Sequence, residues 1–278
     1  MDSDTHQGEF DPPSDPPDAD PPLYKSGTTG ERIRSFTHSI GLVIGAFALS
    51  LAFAFVYYSI LESAGFDVYG PELLPAWASA LVTALQFIAF YIVSLSYLRW
   101  RSSTGSLFGI GLPSLRDCGW VVLGFVILIG SLMVVTAIFS FFDITPAENV
   151  AITQGEKQPV YFLYLIPIAF FLNGPAEELL FRGLVQGLFR RAYGILPGVG
   201  IAAVLFGIVH VVALLPSDPS TISLLTTLAV LSVLGAILGL IYERTQNLVV
   251  PMAIHALFNV FQFSIAYLRT TGRIGALV

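Results

Sequence analysis

The sequence has few of the features that stabilise a secreted protein or a soluble one. Cys118 is the only cysteine among 278 residues, so no disulfide can form within the chain. Charged residues make up 12% of the chain, whereas soluble domains average about 25%. Hydrophobic residues make up 55%, and apolar runs of about 20 residues, long enough to cross a bilayer, recur along the chain. We therefore predict an all-α fold, a polytopic membrane helix bundle.

The sequence also lacks the motifs of several common protein classes. It contains no P-loop, no glycine fingerprint of a dinucleotide-binding fold and no internal repeat. Its Lys and Arg residues are spread over the segments between the apolar runs and form no patch that could bind nucleic acid. We expect a lipid bilayer around the protein and no nucleic-acid partner, while the sequence leaves the oligomeric state open.

The N-terminal segment differs in composition from the rest of the chain. Residues 1–22 contain seven acidic residues and six prolines, but no Lys or Arg. Such a segment cannot bury enough apolar surface to fold, so we predict that residues 1–35 form a disordered cytoplasmic tail. It has neither a basic region nor a cleavage pattern, so the first apolar run is expected to stay as a membrane anchor.

About seven apolar segments are long enough to cross a membrane as helices. Residues 99–118 are predicted to form an interfacial loop or a short surface helix. After the tail, the predicted divisions are N-terminal helices at 36–157, a C-terminal helix bundle at 158–268 and a short tail at 269–278. The predicted spans are 38–61, 75–98, 119–142, 158–185, 196–215, 221–242 and 248–268.

The distribution of positive charge predicts the orientation of the helices. With the N-terminus in the cytoplasm, ten of the thirteen Lys and Arg residues fall in cytoplasmic segments. The predicted outer segments hold only Lys157, Arg269 and Arg273. We therefore predict a multi-pass protein of the cell membrane with a cytoplasmic N-terminus and an outer C-terminus.

Polar side chains recur within the C-terminal spans, where they are expensive to place. A charged side chain near the bilayer centre costs about 2.5–3.5 kcal/mol, so such residues indicate a functional site by default. The set comprises Asn173, Glu177, Glu178 and Arg182 in the fourth span, His210 in the fifth, and His255 and Asn259 in the seventh.

Helical spacing places the charged residues of the fourth span on two different faces of the helix. Glu178 and Arg182 are four residues apart, which predicts an ion pair on one helix face. The simplest role of this ion pair is structural support. Glu177 is rotated by about 100° from Glu178, so it stays free of that pair.

The polar residues of the three spans are also expected at similar depths in the membrane. If the fourth and fifth spans form a hairpin that turns near Gly194, Glu177 and His210 lie at nearly the same level. His255 and Asn259 share one face of the seventh span. We therefore predict that these four side chains converge on one cavity, about 10–15 Å below the cytoplasmic face.

Three short motifs resemble those of a known family. The segments EELLFRG (177–183), FGIVH (206–210) and HALFN (255–259) are similar to the EExxxR, FxxxH and HxxxN motifs of the CAAX-protease and bacteriocin-processing (CPBP, or Abi) family of intramembrane endopeptidases. That family includes the type II CAAX prenyl endopeptidases. The resemblance covers about residues 158–268 and implies that they form a catalytic helix bundle. It also implies an active site open to the cytoplasmic side and a membrane protein or peptide as the substrate, one that could be CAAX-like.

The resemblance also implies roles for the residues of the motifs. Glu177 and His210 would activate a water molecule, while His255 and Asn259 would stabilise the oxyanion. In a metal-dependent version, Glu177, His210 and His255 would bind a divalent metal ion, and this Glu-His-His set suits zinc. The sequence leaves both versions open, the one with no cofactor and the one with a metal.

Two other functions are compatible with the same polar residues. A protein of this family could act as a non-proteolytic membrane scaffold or immunity protein, although that role would favour decayed motifs and these are intact. A small ion-coupled transporter could place the residues along an ion path. A transporter predicts inverted repeats or paired discontinuous helices, and the sequence shows neither. The sequence does not indicate whether a substrate is prenylated.

Overall fold

The computed structural model describes residues 22–70, 72–101 and 107–274. Within these ranges the chain is helical and contains no β-strand. Seven of its helical segments are long and apolar enough to cross a membrane. The predicted all-α bundle of about seven transmembrane helices is therefore confirmed.

The described ranges contain eleven α-helices. α5 to α7 together form the fourth membrane span, and a single 3-10 turn, Leu215–Ser217, follows α9. The short helix α4 was not predicted. In chain order the helices are α1 (Thr29–Ser63), α2 (Ala76–Trp100), α3 (Leu115–Phe141), α4 (Val150–Lys157), α5 (Val160–Ile168), α6 (Gly174–Glu178), α7 (Gly187–Tyr193), α8 (Ile195–Val209), α9 (Val211–Leu214), α10 (Thr221–Thr245) and α11 (Val249–Thr270).

A capping box fixes where the first membrane helix begins. The Thr28 side chain accepts a hydrogen bond from the backbone of Glu31, and the Glu31 side chain accepts one from the backbone of Thr28. α1 therefore begins inside the segment 1–35 that was predicted to be a disordered tail, and the boundary at residue 35 is wrong. Residues 1–21 of that predicted tail lie outside the described residues.

The segment that precedes α1 is held against the turn between α7 and α8. Lys25 N donates to the Tyr193 carbonyl at 2.8 Å, and Ile195 N donates to the Pro22 carbonyl at 3.1 Å. Gly194 makes the turn with a φ of +88°, and a Cβ there would lie 2.6 Å from the Cα of Tyr24. The close approach and the backbone conformation both require glycine.

In the structure, the ends of the predicted interfacial segment 99–118 belong to α2 and α3. α2 continues to Trp100, and α3 begins at Leu115, where Ser114 and Asp117 form a second capping box. The part from 107 to 114 is irregular and contains no surface helix, while residues 102–106 lie outside the described ranges.

The fourth span is not a regular α-helix. Two π-helical turns, Ala169–Asn173 and Leu179–Gln186, flank α6. Pro175 lies in the first turn of α6, and proline favours a kink because it removes a backbone hydrogen bond. The structure instead widens the helix on both sides of α6, an irregularity that is frequent at functional sites.

The glycine pair of α10 packs against the fourth span. Arg182 donates to the Gly235 carbonyl at 3.0 Å, and Gln186 donates to the Gly239 carbonyl at 3.2 Å. A Cβ on Gly239 would lie 2.6 Å from the Gln186 side-chain oxygen. The small-residue spacing thus lets the helices approach closely enough to bury two polar side chains.

Candidate active site

A cavity of about 1330 Å³ lies inside the helix bundle. It is lined by residues of α1 to α6 and α8 to α11, and by the segment between α3 and α4. All four predicted catalytic residues line this cavity, namely Glu177, His210, His255 and Asn259. The four residues therefore line one cavity, while its depth below the cytoplasmic face and their catalytic roles remain predictions.

Glu178 and Arg182 form the predicted ion pair. The guanidinium donates to Glu178 Oε1 at 3.0 Å, and both side chains are buried. The Phe206 ring covers the guanidinium at 4.4 Å from its centroid. Because an isolated charge is costly in a low dielectric, this pair and its carbonyl partner on α10 hold the fourth span in one position.

The structure adds a contact between Glu178 and His255 that helical spacing could not predict. Nδ1 of His255 lies 2.8 Å from Glu178 Oε1, which can only accept from Nδ1 when the acid is ionised. Nε2 of the same ring faces Glu177 Oε2 at 3.8 Å, which is too long for a direct hydrogen bond. His255 therefore lies between two carboxylates, held by one and facing the other.

His210 is positioned by a break between α8 and α9. Its backbone N–H donates to the Gly207 carbonyl, and its ring Nδ1 lies 2.7 Å from the Phe206 carbonyl. A carbonyl only accepts, so Nδ1 carries the hydrogen and Nε2 of the neutral ring is an acceptor. The Phe206 ring also packs against the imidazole, with centroids 4.7 Å apart. The Phe and His of this motif are thus in direct contact.

Asn259 is held by Asn173 in the cavity wall. The Asn259 side-chain amide donates to Asn173 Oδ1 at 3.0 Å. An Asn amide has two N–H groups, so the second one is available to a ligand. Asn173 lies at the end of the first π turn and also lines the cavity, so it is a positioning residue for Asn259.

Two glutamines of the cavity wall were missed by the sequence analysis. Gln86 of α2 and Gln262 of α11 both line the cavity. Within the described residues, neither side-chain amide forms a hydrogen bond to the protein. Glutamine is not ionisable, so neither residue met the criterion of a charged group within a span. Gln262 nevertheless follows Asn259 by three residues and therefore shares its helix face. Both amides are suited to hydrogen-bond a peptide backbone.

The predicted metal ligands do not come together as a set. Among residues 22–70, 72–101 and 107–274, no three His, Cys, Asp or Glu side chains are close enough to hold a metal ion. Glu177, His210 and His255 lie on the same cavity, but as placed they do not fit a zinc ion.

The cavity occupies only one half of the bundle. Its lining begins at Val43 in α1, Leu128 in α3 and Phe206 in α8, and continues to the segment at 143–152. No residue of α7 or of the segment ahead of α1 lines it. The cavity therefore faces the end of the bundle that is opposite the start of α1. The predicted cytoplasmic N-terminus would place this end of the cavity on the outer side, whereas the family resemblance implied an opening to the cytoplasm.

Comparisons with known proteins agree with the motifs. Residues 159–261, which contain every motif residue named above, match the family model "Rce1-like: Type II CAAX prenyl endopeptidase Rce1-like". The "Putative membrane peptidase YdiL" of Bacillus subtilis (strain 168) is 29% identical in an alignment of 192 positions that covers 66% of this chain and 70% of that protein. No solved structure matches the chain at a significant level.

Proposed function

Because residues 159–261 match the type II CAAX prenyl endopeptidase model and carry all three motifs, we propose that this chain is a membrane protease of the CAAX-protease and bacteriocin-processing family and hydrolyses a peptide bond within the membrane. The substrate would be a membrane-associated protein or peptide. The observation that carries the proposal is the convergence of Glu177, His210, His255 and Asn259 on one cavity inside the membrane spans.

In the proposed first step, Glu177 is the base. Its carboxylate removes a proton from a water molecule, while Nε2 of His210 accepts a second hydrogen bond from the same water. The Phe206 carbonyl supports this role, because it occupies Nδ1 of His210 and leaves Nε2 as the acceptor. The water oxygen then attacks the carbonyl carbon of the peptide bond.

In the proposed second step, His255 and Asn259 stabilise the oxyanion. Because Glu178 holds Nδ1–H of His255, the ring takes part in this step as an imidazolium that donates from Nε2. The second N–H of Asn259 donates from the other side, since Asn173 holds the first. The Glu177 carboxylic acid then returns its proton to the leaving nitrogen, and the carbon–nitrogen bond breaks.

The proposed hydrolysis can be tested by comparing peptide termini in cells. Native protein and a Glu177→Gln variant would be expressed at equal abundance, and membrane peptides analysed by mass spectrometry. We expect a set of cleaved termini that is present with the native chain and absent with the variant. Glu62→Gln, on an exposed residue that does not line the cavity, is the matched control. Identical termini in all three samples would contradict the proposal.

A chelator separates the metal-free reaction from the metal-dependent one. Once a cleaved peptide is known, purified protein should still cleave it after treatment with EDTA and 1,10-phenanthroline. Loss of cleavage that added Zn²⁺ restores would instead assign Glu177, His210 and His255 to a metal ion.

A further inference from the structure

Two carboxylates lie where the cavity meets the segment between α3 and α4. Asp143 and Glu148 line the cavity and are exposed. Neither forms an ion pair with another residue of the described chain. No Lys or Arg lines the cavity. This end of the cavity therefore has negative charge that no described side chain neutralises.

The backbone that carries Glu148 is fixed to α10. The backbone N–H of Ala147 donates to Thr227 Oγ1 at 2.9 Å, and Ala147 is buried. The Ser223 hydroxyl donates to the Thr145 carbonyl. The two contacts anchor the segment to the first turns of α10, so Glu148 has a defined height relative to the site.

The height of Glu148 above the site follows from the geometry of α10. Thr227 lies beside Ala147, and Gly235 accepts a hydrogen bond from Arg182 at the level of Glu178. Thr227 and Gly235 are eight residues apart, which corresponds to about 12 Å along the helix. An extended peptide advances about 3.3 Å per residue, so about three to five residues would span this distance.

The wall between these two levels is mainly apolar. It contains aromatic and aliphatic side chains of α1, α3 and α9, such as Phe47, Leu132 and Val212. Gln86 and Gln262 add amides that can bind a peptide backbone. An apolar peptide segment that ends in a positive charge is therefore complementary to the cavity in both polarity and charge.

We propose that Asp143 and Glu148 form a subsite for a Lys or Arg side chain of the substrate. That residue would lie three to five residues from the cleaved bond, at the end of an apolar segment. The proposal rests on the proposed function, because the cleaved bond must lie beside Glu177. It assigns the specificity of the reaction to a segment outside the three sequence motifs.

Peptide binding to the Glu177→Gln variant tests the subsite without requiring hydrolysis. The probes are N-acetylated, C-amidated peptides with an apolar core and Lys, Gln or Glu at one position from three to five residues to either side of the centre. Purified full-length protein in nanodiscs should bind the best Lys peptide about tenfold more tightly than its Gln counterpart. The preference should shrink as salt is raised.

Subsite variants then identify the residues that read the charge. Adding Asp143→Asn and Glu148→Gln should abolish the Lys preference and leave the affinity for the Gln peptide unchanged. Equal binding of Lys and Gln peptides by the parent variant would overturn the proposal, and so would a Lys preference that survives the two substitutions. Cleavage is measured separately with the native chain. A Lys preference without any cleavage would support the subsite and contradict the peptidase function.

Discussion

At the scale of single residues, Glu178 connects the structural and the reactive parts of the site. Its Oε1 accepts hydrogen bonds from Arg182 and from Nδ1 of His255. The sequence analysis gave this acid only a supporting role with Arg182. The contact with His255 makes it a positioning residue as well, because it fixes the orientation of the ring.

Replacing Arg182 with alanine tests the structural part of this arrangement. The variant leaves Glu178 buried without its partner, and breaking a buried pair costs about 3–5 kcal/mol. We expect the amount of folded protein in the membrane to fall sharply, as measured by size-exclusion chromatography in detergent. Arg116→Ala, at an exposed position, should leave it unchanged. Native abundance of Arg182→Ala would show that the pair does not stabilise the fold.

Replacing Glu178 with glutamine tests the positioning part. The amide keeps the shape and can still accept a hydrogen bond, but it removes the negative charge beside Nδ1 of His255. We expect kcat, measured per folded molecule, to fall by about 10²-fold at unchanged KM. The abundance should fall as well, because the buried guanidinium of Arg182 loses its counter-charge. Glu177→Gln should abolish turnover. If Glu177→Gln retained turnover and Glu178→Gln abolished it, the assignment of the base would be reversed.

At the scale of elements, the site depends on how closely α6 packs against α11. α6 carries both glutamates, and α11 carries His255 and Asn259. Gly174, the first residue of α6, faces the backbone of Ala256. The two π turns on either side of α6 let this short helix adopt its own position within the fourth span.

Replacing Gly174 with alanine tests this close packing. The added Cβ would lie 2.8 Å from the Ala256 backbone nitrogen, which cannot move without shifting α11. We expect at least about 1–3 kcal/mol of destabilisation and a loss of turnover greater than the loss of folded protein. Gly200→Ala is the matched control, because a Cβ there meets nothing within 4 Å. Equal behaviour of the two variants in thermal unfolding and turnover would argue against tight packing at Gly174.

At the scale of the whole molecule, the cavity and the start of α1 lie at opposite ends of the bundle. The cavity extends to the segment at 143–152, whereas the residues ahead of α1 pack on the turn at Gly194. The orientation in the membrane therefore decides from which side a substrate reaches Glu177. A cytoplasmic N-terminus places the cavity on the outer side.

Reporter fusions test the orientation. From the distribution of Lys and Arg, a reporter fused after Val278 should lie outside the cytoplasm and one ahead of Met1 inside it. Alkaline phosphatase and green fluorescent protein fusions at each end distinguish the two sides. The reverse result would place the cavity on the cytoplasmic side, as the family resemblance implied. Both ends on one side would contradict an odd number of spans.

Shortening the N-terminus tests the predicted tail. Removing residues 2–20 should leave membrane insertion and turnover intact, because the segment is acidic, rich in proline and poor in apolar residues. Removing residues 2–27 should lower the amount of folded protein, since it also deletes the contacts of Pro22 and Lys25 with the turn at Gly194. Loss of turnover after the shorter deletion, with normal insertion, would instead give the tail a role in recruiting substrate.

The sequence alone determined the features that depend on local spacing and on solvent. Apolar runs predicted the seven spans because a helix must be about 20 residues long to cross the hydrocarbon core. Spacing of four residues predicted the pair of Glu178 and Arg182, which share a helix face. A hairpin that turns near Gly194 places Glu177 and His210 at nearly the same level in the membrane, so the sequence also predicted that both reach one cavity.

Only the tertiary structure decided the contacts that join distant parts of the chain. The hydrogen bond from His255 to Glu178 joins α11 to α6, through two residues that are 77 positions apart in the chain. The relative rotation of these two helices depends on the π turns and on the missing side chain of Gly174. The helix breaks at His210, between α8 and α9, and this break leaves the Phe206 carbonyl free to accept a hydrogen bond from the His210 ring. Position 210 is neither proline nor glycine, so it carries no local signal for the break. The half of the bundle that holds the cavity is set by how all seven spans pack together. No local pattern records that packing.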